Sequence, residues 1–383
     1  MLDTVDIEGL KGVGKVELKF DPDHRVRVLF GVNGVGKTKT LEAMYLGLLF
    51  SQSSFAESQR HTMNSKAGWE PAKRVLIDGT LCLDVKPSKL GFPTLSDAFA
   101  EEVSHSGAVV MIGAGGRSSV APDPVNVGRL GQFEDRQKAH FDRVTQEMMA
   151  GALRMSGMTA DVREWFVQRA QSVNPYQIEK DNLQSEIDAV LELLHELDSR
   201  VHANKLQIDA AQRVFLTVEN KSVELAELSS GFASAVKLFQ AIISSYSSFT
   251  NTKELRRLPG VVLIDEIESH LHVSWQTSIV PKLKALFPKT MFVIATHSPL
   301  VLTQLEQGEA YLLRRDDDGV VRSKEIDSPN MKAFADVVEE TFGVDLNALK
   351  RRALEEEDQT DAKLALLELV KRRREKRAQE AGE

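Results

Sequence analysis

The sequence predicts an α/β fold. A mixed, largely parallel central sheet carries antiparallel strands on its N-terminal side and surrounds a phosphate-binding loop, and a helical lobe is inserted into it. Three observations carry this reading. VRVLF at 26–30 runs directly into GVNGVGKT at 31–38 and then into a helical pattern, the strand, glycine loop and helix order that a phosphate loop requires. VVLIDE at 261–266 and TMFVIATH at 290–297 are continuous apolar runs, as in parallel strands buried on both faces. Between 134 and 210 the spacing becomes helical, so the strand–helix alternation is interrupted.

In chain order, VDIEGL and KVELKF alternate apolar and polar residues around Gly12 and Gly14 and predict two strands. HRVRVLF is the strand entering the phosphate loop, and TKTLEAMYLGLLF has helical spacing. The Ser-rich, polar residues 51–73 predict a loop. RVLIDGTLCLDVKP predicts a hairpin turning at Asp78-Gly79, and GAVVMIGAGG a further strand. Residues 113–132, rich in Gly, Ser, Pro and Asn, predict a loop. Leu183, Ile187, Val190, Leu191 and Leu194 then form one apolar stripe on a short helix, with Asn174-Pro175 upstream as its start signal. The stripe has too few heptads for a coiled-coil arm. Residues 330–383 are again helical in pattern, and the chain shows no internal repeat or low-complexity tract. The expected division is a head from 1–133 and 211–340, a helical lobe at 134–210 and a C-terminal helical segment at 341–383.

Composition bounds the function. The 383 residues are 42% hydrophobic and 27% charged, sufficient for a sizeable soluble core. No apolar run approaches the roughly 20 residues of a membrane span, and MLDTVDIEGL lacks the basic start and apolar core of a secretory signal. Cys82 is the single cysteine, which excludes an intramolecular disulfide and fits a reducing cytoplasm. Net charge is −8, against a globally basic nucleic-acid binder. KRRREKR at 371–377 reads as a solvated helix end, with a nucleic-acid contact as the alternative.

The chemistry sits in three motifs. Gly-Val-Gly-Lys occurs at 12–15 and again at 34–37. The first copy has no hydroxyl after its lysine and reads as a strand turn. The second completes G-x-x-x-x-G-K-T. There Gly31, Asn33, Gly34 and Gly36 shape a backbone N–H cradle, Lys37 reaches the β and γ phosphates of ATP, and Thr38 ligates Mg²⁺. Asp265, at the end of the VVLI strand, would hold Mg²⁺ through water, and Glu266 would polarise the attacking water. His297 ends the strand FVIATH. His270 and His272 form a His-x-His, read as a helix start rather than a zinc site.

A fourth motif, ELSSG at 227–231, opens a helical run, and alone it is an ordinary helix cap. With the other motifs in this order, the sequence resembles the ATP-binding-cassette ATPases: a P-loop NTPase with an ABC-type head. Gly31–Thr38 resembles Walker A, Asp265-Glu266 Walker B, His297 the switch histidine, and ELSSG the signature. The resemblance implies that Ser229, Ser230 and Gly231 close on ATP held by a second copy, in a head-to-tail homodimer or higher oligomer. DEIESHLHVSWQ, ATHSPLVLTQL and LSSGF resemble the SMC/RecF/OLD-like branch, and within it the compact prokaryotic AAA-type proteins that include PtuA-like anti-phage and retron-associated ATPases.

That resemblance covers residues 1–120 and 220–345. It implies a cytoplasmic ATPase with ATP and Mg²⁺ as cofactors, controlling a nuclease or toxin encoded nearby. Lys11, after the first strand, is the weak match to a basic residue near the nucleotide. Phe232 stands where a charged residue is common, and no glutamine follows VVMIG where a Q-loop is expected; Gln132 lies farther on. The alternative function is a DNA-binding repair or recombination ATPase of the SMC/RecF type. A membrane partner has no support in the sequence.

Overall fold

The computed structural model describes residues 2–59, 72–85, 105–118, 120, 128, 130–158, 160–332, 336, 339, 345–356, 368 and 371. Residues 1–332 form one compact unit and 333–383 a second. The second unit contains helix α10, Leu346–Glu356. Residues 372–377 of the basic stretch lie outside the described residues.

The first unit is organised around a ten-stranded sheet. Strands β1 (Thr4–Leu10) and β2 (Gly14–Lys19) form an antiparallel hairpin, and β3 (Val26–Phe30) enters the glycine loop. Helix α1 (Lys37–Phe50) follows and is buried almost all round. Its apolar content is matched by neighbours on several sides: β1, β4 (Arg74–Ile77), β5 (Thr80–Asp84) and β6 (Ala108–Ile112) all contact it. The hairpin expected at Asp78-Gly79 is β4–β5, and Cys82 is buried within β5.

The lobe follows as α3 (Phe133–Met149), α4 (Val162–Gln171) and α5 (Gln184–Leu197), all packed on α6 (Ser230–Phe249). The whole predicted stripe from Leu183 to Leu194 is buried. Arg169 of α4 is tied to Glu186 of α5 by a buried ion pair of 2.9 Å.

Three local readings change. Ser53–Gln59, expected as loop, is helix α2, because Phe55 is buried edge-on against Phe50 and Phe141; tertiary burial outweighs the polar composition. Val201–Ile208, expected as helix, is strand β7, which heads a three-stranded antiparallel sheet with β8 (Val214–Val218) and β9 (Lys221–Glu224). Asn174-Pro175 lies in the connection between α4 and α5 rather than at the start of α5, which opens after Leu183.

Then come β10 (Gly260–Ile264), the short α7 (Val273–Gln276), α8 (Ile279–Leu286), β11 (Thr290–Ala295), α9 (Pro299–Leu302), β12 (Ala310–Arg315) and β13 (Val321–Glu325). Sheet order is β5-β4-β1-β2-β13-β12-β3-β11-β10-β6. The stretch β12-β3-β11-β10-β6 is parallel throughout, and β5-β4-β1-β2 is antiparallel. This is a P-loop fold of the α/β class, in which β3, the glycine loop and α1 follow one another beside parallel strands. Its consequence is positional. The loops after β3, β11, β10 and β6 all leave the carboxyl edge of neighbouring parallel strands, where ligands bind in open α/β sheets.

Candidate functional site

The glycine loop is shaped by close approach. Gly36 has φ 110°, and a Cβ there would fall 2.7 Å from Cγ2 of Val13 in the β1–β2 turn. At Gly31 a Cβ would meet the carbonyl oxygen of Leu313 in β12 at 2.9 Å. Neither position tolerates a side chain, so both require glycine for the loop to pack against β12 and the β1–β2 turn. Val32, at the loop crest, is 53% exposed and Asn33 is also exposed. The first Gly-Val-Gly-Lys is a turn, as its sequence suggests, and Val13 within it buttresses the phosphate loop. Lys11 is exposed in the same turn.

Lys37 begins α1 and is buried. Its ammonium donates to Gly31 O at 2.7 Å and Val32 O at 3.2 Å, and lies 3.4 Å from Nδ1 of His297. Burial brings its pKa down to about 8, opposed by Asp265, Glu268 and Glu266. Among the described residues the groups hydrogen-bonded to this ammonium are carbonyls and an imidazole, so no carboxylate pairs with it directly and a polyphosphate could.

The next residue, Thr38, donates its hydroxyl to Asp265 at 2.9 and 3.1 Å. Asp265 is buried, and desolvation lifts its carboxyl to about 6 against the Thr38 hydrogen bond. A hydroxyl and a carboxylate brought together at the foot of a phosphate loop are an oxygen donor set suited to Mg²⁺. A cation at this position would offset the desolvation of the carboxyl.

Glu266 follows with φ 48°, a left-handed backbone that non-glycine residues avoid. Two residues that the sequence reading missed fix this region. Arg117, from the loop after β6, donates to both Asp265 O and Glu266 O. Glu268 accepts from the backbone N–H of His297 at 2.6 Å and the hydroxyl of Thr296 at 2.7 Å. It therefore pins the histidine segment to the segment after β10. Burial, then Lys37, lowers the pKa of His297 and so favours the neutral imidazole. Since an ammonium can only donate, Nδ1 faces Lys37 as acceptor and Nε2 carries the proton.

Glu268→Gln places an amide N–H₂ against one of two donors. The expected result is a kcat reduced on the order of tenfold with Mg-ATP affinity nearly unchanged, checked by steady-state hydrolysis and titration calorimetry.

Ser229 is the N-cap of α6, accepting from Phe232 N at 3.3 Å. Ser229 and Ser230 are exposed. A Cβ at Gly231 would lie 2.8 Å from His270 O, so the glycine lets α6 start against the segment after β10. Phe232 is buried against Trp275, ring centroids 5.6 Å apart, which explains an apolar residue there. The described side-chain partners of Lys37, Thr38 and Asp265 come from the strand-end loops and the first turn of α1, and not from α6. His272 caps α7, accepting from Ser274 N. Among the described residues, the metal-capable cluster found is His24, Glu306 and Glu309, where the ammonium of Lys284 already sits 2.6 Å from Glu309.

Residues 160–303 match the family described as "AAA domain, putative AbiEii toxin, Type IV TA system". The chain is 22% identical over 361 residues to Septu protein PtuA of Bacillus thuringiensis, covering 90% of this chain and 85% of that protein. A second Septu protein PtuA, from Bacillus mycoides, is 24% identical, covering 83% of this chain but 41% of the relative. "Retron Ec83 probable ATPase" of Escherichia coli is 29% identical across 37% of this chain and 27% of that protein. Among solved structures, the SMC head domain from Thermotoga maritima aligns with a TM-score of 0.40 and 14% identity, covering 85% of this chain and 99% of that one.

Proposed function

We propose that this relative of the PtuA-like ATPases of the SMC/ABC class is an ATP-hydrolysing switch. It closes head to tail with a second copy around ATP and controls a partner effector, a nuclease or toxin, in prokaryotic anti-phage defence. One observation carries the reading. Lys37, Thr38, Asp265, Glu266 and His297 converge on one sheet edge, while the Ser229-Ser230 cap stands exposed and makes none of their contacts. The site has phosphate-, metal- and water-directed groups, and an anion-binding helix start that serves no ligand group of its own subunit.

Bound Mg-ATP supplies the γ-phosphoryl group as the electrophile. The loop N–H groups and Lys37 bind the phosphates, with Gly31, Asn33, Gly34 and Gly36 setting the loop's path. Thr38 and Asp265 would hold the Mg²⁺ ion through their oxygens. Glu266 accepts the proton of the attacking water, and His297, neutral and carrying its proton on Nε2, donates towards developing negative charge. Ser229, Ser230 and the N–H groups at the start of α6 complete the site of the partner copy. Lys11 is assigned the outer rim of the nucleotide site, beside the Val13 buttress. Because closure needs the γ-phosphate, hydrolysis reverses it, and the protein has two states for an effector to read. Among the described residues no helix is long and apolar enough to cross a membrane.

Complementation between two inactive variants tests completion in trans. Ser230→Arg obstructs the cap, and Lys37→Ala removes phosphate binding. Each alone is expected to be inactive. Mixed at equal amounts, the pair reconstitutes one intact composite site per heterodimer and recovers a substantial fraction of wild-type hydrolysis. A mixture as inactive as its components removes the head-to-tail assignment. Ser230→Arg should itself keep nearly wild-type ATP affinity in the isolated subunit.

A further inference from the structure

We propose that Arg117 is a positioning residue for ATP hydrolysis: its guanidinium fixes the backbone conformation of Glu266 and makes that conformation depend on the helical lobe and on the signature helix α6. This rests on the ATPase reading above and adds a residue and a route of control to the same site.

Strand β6 runs beside β10, with Ile112 in register with Ile264, and Asp265 N donates to Ile112 O at 2.9 Å. The chain then turns through Gly113–Gly116 and brings Arg117 back beneath the end of β10. Arg117 is 1% exposed. Nε donates to Gly113 O at 3.0 Å, Nη1 to Glu266 O at 2.8 Å, and Nη2 to Asp265 O at 2.5 Å. Asp265 O belongs to the peptide plane before the Glu266 Cα, and Glu266 O to the plane after it. Holding both planes with one rigid fork sets φ and ψ of Glu266 together. The conformation held is the left-handed one, φ 48°, which an L-residue leaves when unconstrained. A guanidinium buried on carbonyl oxygens is expensive in free energy, and the return is a fixed direction for the Glu266 side chain.

The loop bearing Arg117 is attached on two further sides. Gly113 N donates to Ser156 O and Gly115 N to Arg154 O, both at 3.0 Å, along the connection between α3 and α4. A Cβ on Gly113 would lie 1.9 Å from Arg154 O, so this apposition requires glycine. From α6, the buried Lys237 donates to Gly116 O at 2.8 Å. Displacement of the lobe or of α6 therefore moves the loop, and through Arg117 the two peptide planes that aim Glu266.

The test uses the full chain with Arg117→Lys, which keeps the charge and can donate but lacks the rigid planar fork, and Arg117→Gln, whose shorter, neutral side chain offers one amide nitrogen and an oxygen that cannot donate to a carbonyl. The measurements are kcat, KM, calorimetric Mg-ATP affinity, and melting temperature. The expected result for Arg117→Lys is a kcat lowered on the order of 10²-fold with KM and affinity within about threefold of wild type. Arg117→Gln, with fewer donors and no charge, should lower kcat at least as far. In the Glu266→Gln background, Arg117→Lys should lower the residual rate no further, because the group it aims is already absent. Wild-type kcat in both variants overturns the inference while leaving the ATPase reading intact. Failure of both to fold, or parallel losses of kcat, affinity and melting temperature, assigns Arg117 to structure alone and also overturns it. A wild-type protein that binds Mg-ATP and does not hydrolyse it overturns the ATPase reading itself, and this inference with it.

Discussion

Glu266→Gln is expected to bind Mg-ATP as well as the wild type, to lose about 10³-fold in kcat, and to rise in solution mass to a dimer or higher when Mg-ATP is added. The amide has the shape of the carboxylate, so the backbone bonds from Arg117 remain in place. It cannot accept a proton, so the attacking water is no longer activated, while Lys37, Thr38 and Asp265 still bind. The closed state then accumulates because its exit, hydrolysis, is blocked. Light scattering with and without Mg-ATP reads the mass, and phosphate release reads the rate. Hydrolysis at the wild-type rate would remove Glu266 as the base. A protein that stays monomeric with ATP would reduce the Ser229-Ser230 segment to a helix cap. A large mass unaffected by ATP would indicate a constitutive oligomer.

The same variant exposes what sequence reasoning can reach. The phosphate loop, Asp265-Glu266 and the His297 strand were legible because each is a contiguous run in which local geometry and chemistry coincide: strand, then polar group at its end. Their convergence was legible only as far as parallel-strand patterning implies a common carboxyl edge. Arg117 and Glu268 were not visible, although Arg117 directly follows the GAVVMIGAGG run and Glu268 lies within DEIESHLHVSWQ. Their functions depend on sheet order, which puts β6 beside β10 and β10 beside β11. An arginine after a glycine cluster has no meaning in isolation. It gains one when the loop after β6 folds under the end of β10. The helix at Ser53–Gln59 was missed for a related reason. Its one strong apolar residue, Phe55, finds its neighbours in Phe50 and in Phe141 of the lobe, and the latter partner is far away in sequence. Strand β7 mixes polar and apolar residues on both faces, so alternation gave no signal, and its identity rests on pairing with β8 through Leu206 and Leu216.

Lys37→Ala should abolish measurable nucleotide binding, at least a 10²-fold loss in affinity, the scale set by removing a charge-assisted contact to a desolvated anion. The free protein should nevertheless melt no lower than wild type. The ammonium is buried against carbonyl oxygens and the imidazole of His297. Its pKa, brought down to about 8 mainly by burial, shows that folding disfavours the charge. A lysine whose folded pKa is depressed opposes folding at every pH below its unfolded value. Its removal forfeits two hydrogen bonds but also this opposition. The contrast appears in one experiment. Added Mg-ATP at 100 times its Kd should stabilise wild type by about 2.7 kcal/mol and raise its melting temperature, whereas the variant should show no rise at all. A variant that melts well below wild type without ligand would mean that Lys37 is structural, and its binding defect would then say nothing about phosphate. If the melting temperature is kept and the ligand shift is lost, the loop holds a cation the fold does not need, placed there for a phosphate.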